Sequence, residues 1–87
     1  MKRVFKYDAP VDDRLTIAMP AGADVLTVQL QGDGPKVWAL VDDAAPLVPR
    51  VFYWRGPGHT AEVVGRYVGT VQIRNGSLVF HLFEEQR

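Results

Sequence analysis

The chain has 87 residues, 47% of them apolar and 23% charged, with ten Lys and Arg balancing ten Asp and Glu. This length fits one thin-cored domain over residues 1–87, and the composition excludes an intrinsically disordered chain. Zero net charge supplies no global field towards nucleic acid or an anionic membrane, so nucleic acid is not expected as the main partner; the absence of cysteine excludes disulfides, thiolate zinc sites and thiol nucleophiles.

Eight glycines and six prolines cut the sequence into short runs. Runs of about four to eight residues have strand length and are too short for ordinary helices. Val4-Phe5-Lys6-Tyr7 reads as a first strand, closed by a turn at Asp8-Ala9-Pro10. Lys6 and Asp8 also break what begins like a signal peptide before an apolar segment forms, and no run approaches the roughly 20 apolar residues of a membrane helix. A soluble protein of a reducing cytoplasm, with no membrane partner, is the expectation. Leu15 to Met19 forms a second strand that stops at Pro20, whose missing N–H ends a ladder, and Ala21-Gly22-Ala23-Asp24 is a turn.

Val25 to Gln31 and Lys36 to Val41 flank Gly32-Asp33-Gly34-Pro35 as a hairpin. Two-residue periodicity puts Leu26, Val28 and Leu30 on one face and Thr27, Gln29 and Gln31 on the other. Val37 to Val41 is apolar on both faces, which places it mid-sheet or against a subunit partner. Asp42 to Pro49 reads as a crossing loop.

Arg50 to Arg55 alternates Arg50, Phe52 and Trp54 with Val51, Tyr53 and Arg55, and ends sharply at Gly56-Pro57-Gly58-His59. Thr60 to Arg66 has room for a helical turn with Thr60 as its N-cap. Tyr67 to Arg74 and Ser77 to Glu84 flank Asn75-Gly76, a dipeptide suited to a type I′ turn because both positions tolerate positive φ. Leu78, Phe80 and Leu82 then share one face, and Val79, His81 and Phe83 the other. The expected fold is all-β and mainly antiparallel, a small barrel or sandwich of about six to seven short strands, with at most one helical turn near 60–66.

No enzyme or metal motif stands in the sequence, and no catalytic residue or cofactor is expected. Only two histidines are present, and His81, between Phe80 and Leu82, reads as structural. The pairs Asp12-Asp13, Asp42-Asp43 and Glu84-Glu85 receive no acid–base or metal role, because neighbours in a strand point to opposite faces and loop pairs are solvated. His59 is different, since it lies in a glycine-rich loop directly after the Arg and aromatic strand. The loop lacks the Gly-Lys-Ser/Thr ending of a phosphate-binding P-loop, although its N–H groups suit an anion.

Residues 44–76 hold Arg50, Arg55, Arg66 and Arg74 against Glu62 alone. Phe52, Tyr53 and Trp54 suit the core of a small barrel first. They suit second a surface that stacks a base while an arginine pairs with phosphate. The ligand-binding candidates are Arg50, Tyr53, Trp54, Arg55, Gly56, Gly58 and His59. An internal pairing of Arg50 or Arg55 with Asp42 or Asp43 would remove that arginine from the set.

Several blocks occur in a fixed order over nearly the whole chain: Phe5-Lys6-Tyr7, Ile17 to Ala23, Val28 to Gln31, Trp38 to Asp42, Gly56 to His59, Tyr67 to Thr70 and Leu78 to Glu84. In these blocks the chain resembles a widespread family of small uncharacterised phage and prophage proteins. It departs from them at Pro57, where members tend to carry Thr. The resemblance implies a non-enzymatic phage accessory protein of the bacterial host cytoplasm and supplies no catalytic residue. Strands apolar on both faces add an expectation of self-association. The combined expectation is a homo-oligomeric binding module for a host protein or a small anionic, nucleotide-like ligand, acting against a host defence. The alternative is a structural or virion-associated protein that pairs through sheet edges.

Overall fold

Many of the strand boundaries fall at glycine or proline corners. A computed structural model describes residues 1–58 and 65–86. The strands are β1 (Lys2–Asp8), β2 (Arg14–Pro20), β3 (Asp24–Gln31), β4 (Gly34–Asp42), β5 (Leu47–Arg55), β6 (Arg66–Ile73) and β7 (Leu78–Glu84), with no helix among the described residues. All pairings are antiparallel. They form a three-stranded sheet A, ordered β1-β4-β3, and a four-stranded sheet B, ordered β2-β5-β7-β6. The architecture is a small β sandwich. His59 and most of the helical turn expected near 60–66 lie outside the described residues, and Arg66 opens β6.

Alternation builds the core between the sheets. Val37, Ala39 and Val41 of β4 are buried, as are Ile17 and Met19 of β2, Phe52 and Trp54 of β5, Val71 of β6 and Leu82 of β7. β4 is the middle strand of sheet A, the first of the two places expected for it, and its alternate residues Trp38 and Leu40 are half-buried on the outer face. The expected hairpin at Asn75-Gly76 forms. Asn75 and Gly76 both take positive φ, at 56° and 88°, and the Ser77 N–H donates to the Arg74 carbonyl at 3.1 Å.

Two expectations need correction. Leu26, Val28 and Leu30 do not share a buried face, because the β3–β4 register shifts between Val25 and Thr27. The shift leaves Leu26 as a bulge, so Val25 and Val28 enter the core while Leu26 stays exposed; Leu30 keeps the face of Val28 but lies towards the hairpin turn and is 45% exposed. The loop expected from Asp42 to Pro49 is shorter, since β5 begins at Leu47 and contains Pro49. Even-numbered residues of β5 turn their N–H and C=O towards β2, as the Ala21 N–H to Pro46 carbonyl bond of 2.8 Å requires. The Pro49 nitrogen therefore faces the opposite side, where β7 pairs only with residues 52–55, so no ladder bond is missing.

A second bulge lies in β6, where the register shifts between Tyr67 and Gly69. There the sheets touch closely: a Cβ built on Gly69 would stand 2.7 Å from Val28 Cγ1. Only glycine lets β6 press on β3 at that point.

Candidate functional site

Of the seven candidates, the four in β5 divide between its two faces instead of converging; Gly56 and Gly58 follow the strand, and His59 lies outside the described residues. Arg50 and Trp54, each 3% exposed, point inward with Phe52. The Arg50 Nε donates to Glu84 Oε2 at 2.5 Å and its Nη1 to the Ala23 carbonyl at 2.9 Å. Glu84 is buried as well, and the Arg66 Nη2 stands 3.7 Å from its other oxygen while donating to the Val25 carbonyl at 3.2 Å. Arg50 and Glu84 thus pair across the sheet interior and line an open cleft of about 420 Å³ with Arg66. Asp24 and Glu85 also line this cleft, so it carries no positive excess that would draw an anion. Asp42 and Asp43 are not the partners of Arg50; they bond the N-terminal ammonium, and Asp43 also holds Arg3. The Arg3 hydrogen bond, followed by that of the ammonium, keeps the Asp43 carboxyl below its ordinary range.

Trp54 packs edge-to-face on Phe80, with ring centroids 6.4 Å apart. Its indole N–H has no hydrogen-bond partner among the described residues. The ring borders a recess of about 140 Å³ together with Asp12, Asp13 and Gly56. Gly56 is buried, and Gly58 takes φ +82° at the corner that follows.

Tyr53 and Arg55 lie on the outer face of sheet B, and pairing brings other side chains beside them. Arg14, Tyr53, Phe83 and Tyr67 occupy one cross-strand row over β2, β5, β7 and β6. Arg55, His81 and Thr70 form the next row. Residues directly opposite in an antiparallel sheet share a face, so these seven form one surface. The Tyr67 and Phe83 rings meet edge-to-face at 5.7 Å, and the Arg55 guanidinium carbon lies 5.1 Å from the Tyr53 ring centroid. Arg55 Nη1 also donates to the Asp13 carbonyl at 3.1 Å and to the Trp54 carbonyl at 2.8 Å. Tyr53 donates to Glu85 Oε1 at 2.6 Å, and the Tyr67 hydroxyl, Thr70 hydroxyl and His81 Nδ1 form a chain, with 2.8 Å between the last two.

Sequence reasoning placed Tyr53 and Arg55 among the candidates and missed Arg14, Tyr67, Phe83 and the role of Glu84. The bulge at Val68 is what puts Tyr67 opposite Phe83 on the outside; an uninterrupted register would turn it inward. A lone glycine at position 69 within a strand pattern is the signal that marks such a bulge.

Compared with known proteins, residues 1–87 match the family described as Domain of unknown function (DUF7352). The chain belongs to that family. No curated protein and no solved structure matches it. The family assignment therefore brings no transferred chemistry, and among the described residues no group of three or more His, Asp or Glu is placed to hold a metal ion. No helix is long and apolar enough to cross a membrane among the described residues.

Proposed function

We propose that this domain is a non-enzymatic binding module, a phage-type accessory protein that works as a homo-oligomer in the bacterial cytoplasm and takes a small anionic, nucleotide-like ligand on the outer face of sheet B. One observation carries the reading: Tyr53, Phe83 and Tyr67 stand in a single row outside the core, with Arg14 at its end and Arg55 in the neighbouring row. Tyr67 is 54% exposed, the largest free ring surface of the three. Aromatic rings on a sheet face stack planar bases at about 1–3 kcal/mol per base, with little preference among bases. Arginine supplies charge-assisted hydrogen bonds to phosphate. The inner arginine, Arg50, is buried, paired with the Glu84 carboxylate and bonded to the Ala23 carbonyl, and belongs to the fold.

Calorimetric titration with AMP, ATP and inorganic phosphate tests the reading. Binding of both nucleotides, with affinity lost by about fivefold to a hundredfold in Tyr67→Ala, is the expected result. Absence of nucleotide binding at millimolar concentration, or equal affinity in a Tyr67→Ala/Phe83→Ala variant, rejects it. Binding of inorganic phosphate as tight as that of AMP removes the rings from recognition and rejects the nucleotide-like ligand.

A further inference from the structure

Among the described residues β1 is an edge strand, and only Tyr7 of it packs against the core. It pairs only with β4, and every residue in it except half-buried Tyr7 is exposed, with Val4 at 57% and Phe5 at 36%. Phe5 and Tyr7 point to the core side of sheet A and touch edge-to-face, with centroids 6.4 Å apart. Val4 and Lys6 point to the other side, opposite Leu40 and Trp38.

The backbone direction of this edge is fixed. The Asp43 N–H donates to the Met1 carbonyl at 3.1 Å, and the Ala9 N–H donates to the Pro35 carbonyl at 3.0 Å. Odd-numbered residues therefore spend their backbone groups on β4. Lys2, Val4, Lys6 and Asp8 turn N–H and C=O to the open side. Any strand that joins here must bond those four.

We propose that β1 pairs with β1 of a second copy of this chain, antiparallel about a two-fold axis at Phe5, which joins two three-stranded sheets into one of six strands. The inference rests on the homo-oligomeric part of the reading above and names its interface. Backbone direction permits a two-fold axis at any residue of β1; axes at Val4, Phe5 and Lys6 pair most of the strand, and charge separates those three. An axis at Val4 sets Lys2 against Lys6 of the other copy, and an axis at Lys6 sets that lysine against itself. Both place like charges directly opposite. An axis at Phe5 sets Lys2 opposite Asp8, Val4 opposite Lys6, Arg3 opposite Tyr7 and Phe5 opposite Phe5, each pair on a common face.

The groups involved are ready for these roles. Lys2 has no ion-pair partner among the described residues, and Asp8 gives one oxygen to Lys36 at 2.5 Å while its side chain stays largely exposed. Lysines on an edge normally discourage strand addition. In this register the Lys2 charge meets a carboxylate, and the Lys6 ammonium donates to Gln31 Oε1 of β3 at 2.7 Å, which draws its charge across β4 and away from the edge. Phe5 pairs with itself at a position without inter-strand hydrogen bonds, where opposing side chains come closest. The contact is isologous, so it uses the β1 edge of both copies and closes at two.

Sedimentation over a concentration series reads the assembly, with circular dichroism and thermal melting to confirm the fold of each variant. The wild type is expected as a reversible dimer. Val4→Pro removes an N–H that the β1–β4 ladder does not use, and it is expected to sediment as a monomer. Lys2→Glu and Asp8→Lys each place like charges opposite at two symmetric positions and raise the dimer dissociation constant by at least about tenfold. Their equimolar mixture restores unlike pairs and is expected to form the heterodimer. This mixing result stands even if Val4→Pro fails to fold.

A wild type that stays monomeric at millimolar concentration overturns the proposal. So does a folded Val4→Pro that still dimerises, or a mixture that fails to associate. Nucleotide titration of the same samples separates the two readings: a monomer that binds nucleotide removes this interface and keeps the binding face, whereas a dimer that binds none does the reverse.

Discussion

The two faces of β5 carry the same chemistry to opposite ends. Inward lie Arg50, Phe52 and Trp54, and outward lie Val51, Tyr53 and Arg55, so each side receives an arginine and at least one ring. Phe52 is fully buried, and Arg50 is closed by a carboxylate and a carbonyl. Tyr53 is half-buried, hydrogen-bonded to an exposed Glu85, and set between Arg14 of β2 and the Phe83 ring of β7. Residue type alone thus fails to separate structure from recognition here. One residue of strand register does.

The sharpest test of that contrast is a pair of truncations one residue apart. Phe52→Ala is expected to lower the free energy of unfolding by about 3–5 kcal/mol, the range for emptying a buried aromatic site. Tyr53→Ala is expected to cost about 1 kcal/mol or less, as surface changes do. Urea titration measures both, and similar losses would erase the distinction between the faces.

Next in size is the interior ion pair. Glu84→Ala leaves the Arg50 guanidinium buried without its carboxylate, a change worth roughly 3 kcal/mol or more, since the Ala23 carbonyl alone does not neutralise it. Replacing both partners by apolar residues of similar volume, Arg50→Met with Glu84→Leu, is expected to recover most of that loss. Failure of the double variant to regain stability would mean that the pair specifies the packing of the cleft. A smaller effect than either interior change is expected at the contact between sheets. Gly69→Ala drives a methyl into the stiff, β-branched Val28 and costs about 1–3 kcal/mol, measured by the same titration.

Much of the architecture was legible in the sequence because alternation and corner residues are local signals. The Asn75-Gly76 hairpin and the facing of β7 needed nothing beyond a few residues of pattern. β4 was legible as a central strand because its apolar run leaves neither face fully polar. What escaped were the two bulges, since each depends on which strand lies alongside. Leu26 has no glycine beside it to mark the slip, and the Tyr67 slip is marked only by Gly69. The pairing of Arg50 with Glu84 was illegible for a similar reason. Their strands are sequence-distant, and the carboxylate lies in a Glu-Glu pair whose second member faces solvent.

Pro49 has a consequence for how this molecule meets other polypeptides. Beyond Phe52, the flank of β5 turned away from β2 accepts one bond, from the Glu85 N–H to the Val51 carbonyl at 2.9 Å, and is then unoccupied by any described strand. Such a vacancy is a berth for a visiting extended peptide. A proline midway along it withholds the donor that a visitor would need, so this gap in the larger sheet is closed to intruders without being filled.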